Sequence, residues 1–146
     1  MRVITGTAKG RRLNELKGSE TRPTTDRVKE GIFNIIQFDI EGRRVLDLFG
    51  GTGQLGIECL SRGAESAIFV DARTDAARLI RENLELTGLS QRAAVLTADY
   101  ATALSSAREK YDLVFLDPPY ETKLLERSLE LISQFDILRE HGIIVA

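Results

Sequence analysis

From residue 44 onward, short apolar runs alternate with stretches whose apolar positions recur every three or four residues. Arg44 to Phe49, Ala67 to Val70, Ala94 to Thr97, Leu113 to Leu116 and Gly142 to Val145 are brief and evenly apolar. They read as strands covered on both faces. Helical spacing lies between them, in Gln54 to Ser61 before Gly63 and in Thr74 through Leu79, Ile80, Leu84 and Leu86 to Gly88. It returns in Ala101 to Glu109 and in Lys123 to Phe135, where Leu124, Leu125, Leu129 and Ile132 share a side. Such alternation predicts an α/β fold with a mostly parallel sheet and helices on both faces. Ahead of it, Val3-Ile4-Thr5 and Arg11 to Leu16 flank the turn Gly6 to Gly10 and predict a small β-hairpin. After Pro23, Thr24 and Thr25 offer an N-cap. Val28, Ile32, Ile35 and Ile36 then give an amphipathic helix to about Phe38. The expected organisation is one domain, with residues 1–22 as a hairpin extension and 23–146 as the core.

Composition narrows the class. A chain of 146 residues fits one domain and can bury a core without disulfides or metal. No apolar run approaches the roughly 20 residues that span a bilayer. The N-terminus lacks the apolar centre of a secretory signal. Cys59 is the single cysteine, which excludes an intramolecular disulfide and a cysteine-rich zinc site. A cytoplasmic protein with no membrane or metal partner is expected. Charge is uneven: residues 1–30 hold eight Lys/Arg against four Asp/Glu, and the remainder twelve against eighteen. A basic segment on an acidic body can meet a phosphate backbone, although most charged faces are merely solvated.

The predicted strands end in acids. The first runs into Asp47-Leu48-Phe49-Gly50-Gly51-Thr52-Gly53, the second ends at Asp71, the third at Asp99 and the fourth at Asp117-Pro118-Pro119-Tyr120. Ligands of open α/β sheets bind beyond the carboxyl ends of the strands, so all four acids would line one crevice. Gly51 to Gly56 matches G-x-G-x-x-G, with Asp71 twenty residues after Gly51. Alone, the match is weak and also suits a tight turn under a closely packed helix. Asp47 changes its meaning. A carboxylate there repels a pyrophosphate but suits a cationic ligand such as S-adenosylmethionine, which the glycines would let the backbone approach. Asp71 could then accept from ribose hydroxyls. Asp99, with Tyr100 beside it, could accept from the adenine amine; its plainer role is a helix N-cap before Ala101. Asp117 and the Pro118 carbonyl could both accept from one exocyclic amine and hold it in line with a sulfonium methyl. Tyr120 would stack on the base. A rigid turn after a strand is the plain alternative.

With these residues assembled, the chain resembles the class I S-adenosylmethionine-dependent methyltransferases that act on exocyclic amines. More narrowly it resembles the RsmD family, bacterial 16S ribosomal RNA guanine-N2 methyltransferases. The resemblance rests on Arg22 to Glu30, Asp47 to Gly53, Asp117 to Tyr120, and the opening Arg2 to Gly6 with Lys9 to Leu13. It covers essentially the whole chain. It implies a Rossmann-like methyltransferase domain and S-adenosylmethionine as cofactor. Asp47, Phe49, Gly50, Gly51, Gly53, Asp71, Asp99 and Tyr100 would hold the cofactor, with Thr25 and Asp26 closing over its methionine end. Asp117, Pro118, Pro119 and Tyr120 would hold the guanine. Lys9, Arg11, Arg12, Arg22, Arg27 and Lys29 would meet RNA, whether 16S RNA or an assembling 30S subunit. Arg27 and Lys29 could equally be a helix face. His141, before Gly142, is expected to be structural, because an in-line methyl transfer needs no strong base.

The family's fold normally continues into a helix and an antiparallel strand pair. The expectation is therefore a core lacking its C-terminal strand pair, with a monomer favoured for the complete protein. Other readings stay open. A DNA adenine-N6 methyltransferase would share the chemistry. A nicotinamide dehydrogenase would share the glycine pattern but lacks room for a substrate domain. A cofactor-binding or RNA-binding module would keep the pocket without turnover.

Overall fold

The computed structural model describes residues 1–16, 26–118 and 122–146. Five strands form one parallel sheet: β1 (Arg44–Asp47), β2 (Ser66–Asp71), β3 (Ala93–Thr97), β4 (Tyr111–Phe115) and β5 (Leu138–Val145). Their spatial order is β3-β2-β1-β4-β5, so the order reverses between β1 and β4. Helices α1 (Asp26–Ile36), α2 (Gln54–Ser61), α3 (Thr74–Thr87), α4 (Tyr100–Ser105) and α5 (Thr122–Gln134) cover it, and a 3-10 turn at Ser90–Arg92 precedes β3. The predicted Rossmann-like class is the observed one. None of the described helices is long and apolar enough to cross a membrane.

Alternate strand residues feed two cores. Val45, Ala67, Phe69, Leu113 and Phe115 pack with Phe33, Ile36, Ile57, Leu60, Ile80 and Leu84 from α1, α2 and α3. Leu46, Val70, Val114 and Leu116 pack with Leu104, Leu131 and Ile132 from α4 and α5. This two-sided burial explains why the strands read as continuous apolar runs.

Three elements differ from the sequence expectation. In α1 the buried residues are Lys29, Phe33 and Ile36, while Val28 and Ile35 face outward. The helix is turned from the Val28–Ile35 stripe so that Lys29 can meet Glu58, 3.1 Å away inside the core. Helix α4 stops at Ser105, where the Ser105 and Ser106 hydroxyls both donate back to the Thr102 carbonyl and compete with further helical bonds. Strand β5 begins at Leu138 rather than Gly142. Its pairing jumps from Tyr111↔Leu138 to Leu113↔Ile143, a bulge that holds His141 at φ 65°. His141 is the fourth residue of the strand, and its side chain is exposed.

The N-terminal arm is hairpin-like but minimal. A single antiparallel bridge joins Arg2 and Arg12. Val3, Ala8 and Leu13 are buried in the first core, so the arm is part of the domain's packing.

Candidate active site

The carboxyl ends of β1, β2 and β4 bring three predicted acids together. β1 pairs with both β2 and β4, placing Asp47 opposite Phe69 and Phe115. Asp71 lies two residues beyond Phe69 and Asp117 two beyond Phe115. Asp47 is 2% exposed, and its Oδ2 accepts the Gly56 N–H at 3.1 Å. Its carboxyl is raised to about 7, chiefly by burial, with the Gly56 bond partly opposing the rise and the charges of Asp117 and Asp71 adding to it. Asp47 can thus act on a ligand through its charge, with almost no open surface for direct contact.

The glycine loop is built on these acids. Asp71 Oδ2 accepts the Gly51 N–H at 3.0 Å, and its Oδ1 accepts the Arg73 N–H at 2.9 Å. Gly50 N–H reaches the Val70 carbonyl, and Gly53 N–H closes on the Gly50 carbonyl. The glycines serve two purposes. A Cβ on Gly56 would lie 2.4 Å from the Phe69 ring, so that glycine lets α2 sit directly on β2. Gly51, at φ 60°, has open space where its Cβ would be. Gly56 thus serves close helix packing, whereas Gly51 serves the turn and leaves the space beside it open.

Phe49, just after β1, and Tyr100, the first residue of α4, have rings 5.8 Å apart and tilted by 37°. Asp99 is exposed and caps α4, its Oδ1 accepting Thr102 N–H at 2.7 Å. That cap holds its carboxyl below the usual range. The plainer role weighed for Asp99 is thus present. Asp117 and Pro118 are half-buried beyond β4. Asp26 opens α1 and is exposed. Arg22, Thr25, Pro119 and Tyr120 lie outside the described residues.

Among the expected RNA contacts, Lys9, Arg11, Arg12 and Arg27 are exposed. Lys29 is a correction. It is fully buried, with Nζ 3.1 Å from Glu58 Oε1 and donating to the Arg2 carbonyl at 3.1 Å. Burial drives its ammonium down and Glu58 partly restores it. Burial would raise the Glu58 carboxyl, but the Ile4 amide, Lys29 and Arg62 together hold it below its ordinary value. Lys29 therefore fastens α1 to α2 and the arm, and cannot reach a phosphate.

Two residues at the site lie beyond those expected. Gln54, the first residue of α2, has a buried Oε1 with no hydrogen-bond partner. Asn83, fully buried in α3, bonds both the arm and the glycine loop. Its signal was in the sequence: a carboxamide in the stripe of Leu79, Ile80 and Leu84 needs a polar partner inside. Gln54 is a variable position of the glycine motif and carried no such signal.

A family model described as Conserved hypothetical protein 95 matches residues 1–146. Ribosomal RNA small subunit methyltransferase D of Haemophilus influenzae is 35% identical over 99% of this chain and 76% of its own length. The chain belongs to this family, the RsmD family. Another relative, YlbH of Bacillus subtilis, provisionally named an rRNA methyltransferase, is 47% identical over 100% of this chain and 81% of its own. A solved structure of yhhF from Escherichia coli, provisionally titled a methyltransferase, superposes at a TM-score of 0.89 with 33% identity, covering 99% of this chain and 78% of that one. The RsmD family match spans the arm, the glycine loop and the Asp117 loop alike.

Proposed function

We propose that this protein transfers a methyl group from S-adenosylmethionine to the exocyclic N2 amine of a guanine in 16S ribosomal RNA. The observation that carries the reading is the meeting of Asp47, Asp71 and Asp117 beside an open glycine loop at the point where the strand order reverses. The residues fit the cofactor on three grounds. Clustered carboxylates favour a ligand bearing ammonium and sulfonium charge. The space over Gly51 admits a close backbone approach. The unpaired Gln54 Oε1 offers a buried acceptor beside the loop. Membership of the RsmD family, and relatives named for small-subunit RNA, support the substrate.

When bound, S-adenosylmethionine supplies an electrophilic methyl on a cationic sulfur. The chain's part is binding and alignment. Asp71 is assigned to the ribose, Asp99 to the adenine amine, and Phe49 and Tyr100 to the apolar rim around them. Thr25 and Asp26 are assigned to the methionine end. Asp117 and the Pro118 carbonyl accept from the guanine amine, aiming its lone pair at the methyl and stabilising the positive charge that develops on nitrogen. Pro119 stiffens the loop, and Tyr120 stacks on the base. The methylated amine is acidic and loses its proton to Asp117 or water. Lys9, Arg11, Arg12, Arg22 and Arg27 neutralise RNA phosphates and set register.

The test is transfer of labelled methyl to small-subunit particles and to naked 16S RNA, both from cells lacking the modification. Labelled N2-methylguanine is expected, and Asp117→Ala should lower the rate by about a hundredfold or more. Label recovered in adenine of DNA would reassign the substrate. No label on either RNA would overturn the reading.

A further inference from the structure

Asn83 sits between Ile80 and Leu84 on the buried side of α3 and is itself fully buried. Its Oδ1 accepts Asn14 N–H at 2.8 Å, and its Nδ2 donates to the Asn14 carbonyl at 3.1 Å. This two-way exchange is what a neighbouring strand would offer Asn14. The same Nδ2 donates to the Thr52 carbonyl at 2.9 Å, inside the glycine loop. The Thr52–Gly53 peptide is then fixed at both ends, since Gly53 N–H bonds the Gly50 carbonyl at 2.8 Å.

The path of the arm gives this contact its meaning. The hairpin is anchored on the distal half of α2. Ile4 and Thr5 amides donate to Glu58, Ala8 N–H donates to Ser61 Oγ, and Thr7 N–H donates to the Ser61 carbonyl. An eight-residue helix is about 12 Å long. The arm therefore runs the length of α2, from Ser61 at one end to the glycine loop at the other. The Asn83 carboxamide joins the arm to the loop through a shared side chain.

We infer that Asn83 is a positioning residue that holds the N-terminal arm and the glycine loop in one register, so that a ligand seated on the loop also steadies the arm. The inference rests on the reading of that loop as the cofactor site. The arm carries Lys9, Arg11 and Arg12. Steadying it places the basic residues for RNA once the methyl donor is aboard. Binding that stiffens a shared element lowers the ordering cost of the second ligand.

The experiment is backbone hydrogen exchange of the full chain, with and without S-adenosylmethionine, for the wild type, Asn83→Leu and Asn14→Pro. Calorimetry on each gives the cofactor affinity. Asn14→Pro removes the arm's donor at an exposed position and leaves Asn83 itself in place, which covers the case in which Asn83→Leu folds poorly. Without ligand, the Val3 and Leu13 amides should exchange about tenfold faster or more in both variants, as befits the loss of one or two buried hydrogen bonds. The β1 amides should keep their rates. In the wild type the cofactor should slow Val3 and Leu13; in Asn83→Leu that slowing should vanish, in Asn14→Pro, which keeps the bond to the Asn14 carbonyl, it should shrink, and in both the cofactor dissociation constant should rise several-fold. Unchanged arm exchange in both variants would overturn the latch. Ligand-induced slowing that survives undiminished in both would overturn the coupling. Failure of the wild type to bind S-adenosylmethionine would overturn the cofactor reading instead, and is seen separately in the calorimetry.

Discussion

Asp47 holds its carboxyl where solvent scarcely reaches it, with Asp71 and Asp117 near enough to oppose its ionisation. Its proton should therefore be linked to both stability and ligand. The folded value, about 7, lies above the ordinary 3.8, so the folded chain keeps a proton that the unfolded chain has lost. Stability conferred by this group is full below pH 3.8 and lost as pH rises to about 7, at a slope approaching 1.4 kcal/mol per pH unit. Asp47→Asn keeps an acceptor for Gly56 and removes the titration. Thermal unfolding without ligand should find the variant more stable than the wild type at pH 8 and near parity at low pH. A cationic ligand acts in the opposite sense, because it favours the ionised carboxylate. Calorimetry should show S-adenosylmethionine affinity weakening by up to roughly tenfold per pH unit below 7, with proton release on binding. In Asp47→Asn the profile should be flat, and binding weak throughout.

At the scale of elements, α1 turns inward a buried ion pair together with Phe33 and Ile36. Lys29 and Glu58 are both fully buried, and Glu58 also takes the amides of Ile4 and Thr5 and the Arg62 guanidinium. Removing one member of such a pair strands the other charge in the core. Lys29→Met should cost about 3–5 kcal/mol in urea unfolding, whereas Lys29→Met with Glu58→Gln should recover part of that loss. This pair also marks the limit of what the pattern of apolar positions could convey. The strands, their acid ends and α2 and α3 were legible, because parallel strands buried on both faces are evenly apolar and glycine marks helix ends. The orientation of α1 was not. Val28, Ile32, Ile35 and Ile36 form a plausible apolar face, and a lysine enters the core only where a partner from a distant segment waits for it. Glu58 stood as an equally isolated charge within the apolar α2, and neither residue names the other from sequence. The same holds at the site. The acids of Asp47, Asp71, Asp99 and Asp117 were readable from strand ends. The Asn83 bridge needed the fold to bring Asn14 within reach.

Across the whole molecule, charge and anchoring divide the work. The acidic body repels a phosphate backbone, and the arm, residues 1–16, is fastened along α2 with Lys9, Arg11 and Arg12 exposed. RNA would then be held by the arm and presented to the carboxyl edge of the sheet, leaving sequence discrimination to the base loop at Asp117. Binding through phosphates releases counterions, so RNA affinity should fall steeply with salt. Arg11→Ala and Arg12→Ala should each weaken binding and lower the salt slope by about one unit or a little less, with little change in methyl-transfer rate at saturating RNA. Lys29→Met should leave that slope unchanged, since its ammonium contacts Glu58 and the Arg2 carbonyl rather than solvent. Fluorescence titrations of a small-subunit RNA fragment over a range of salt concentrations would measure all three variants together. A drop in slope for Lys29→Met equal to that for Arg11→Ala would mean that the buried pair opens on RNA binding, and that α1 turns its basic edge outward to meet the backbone.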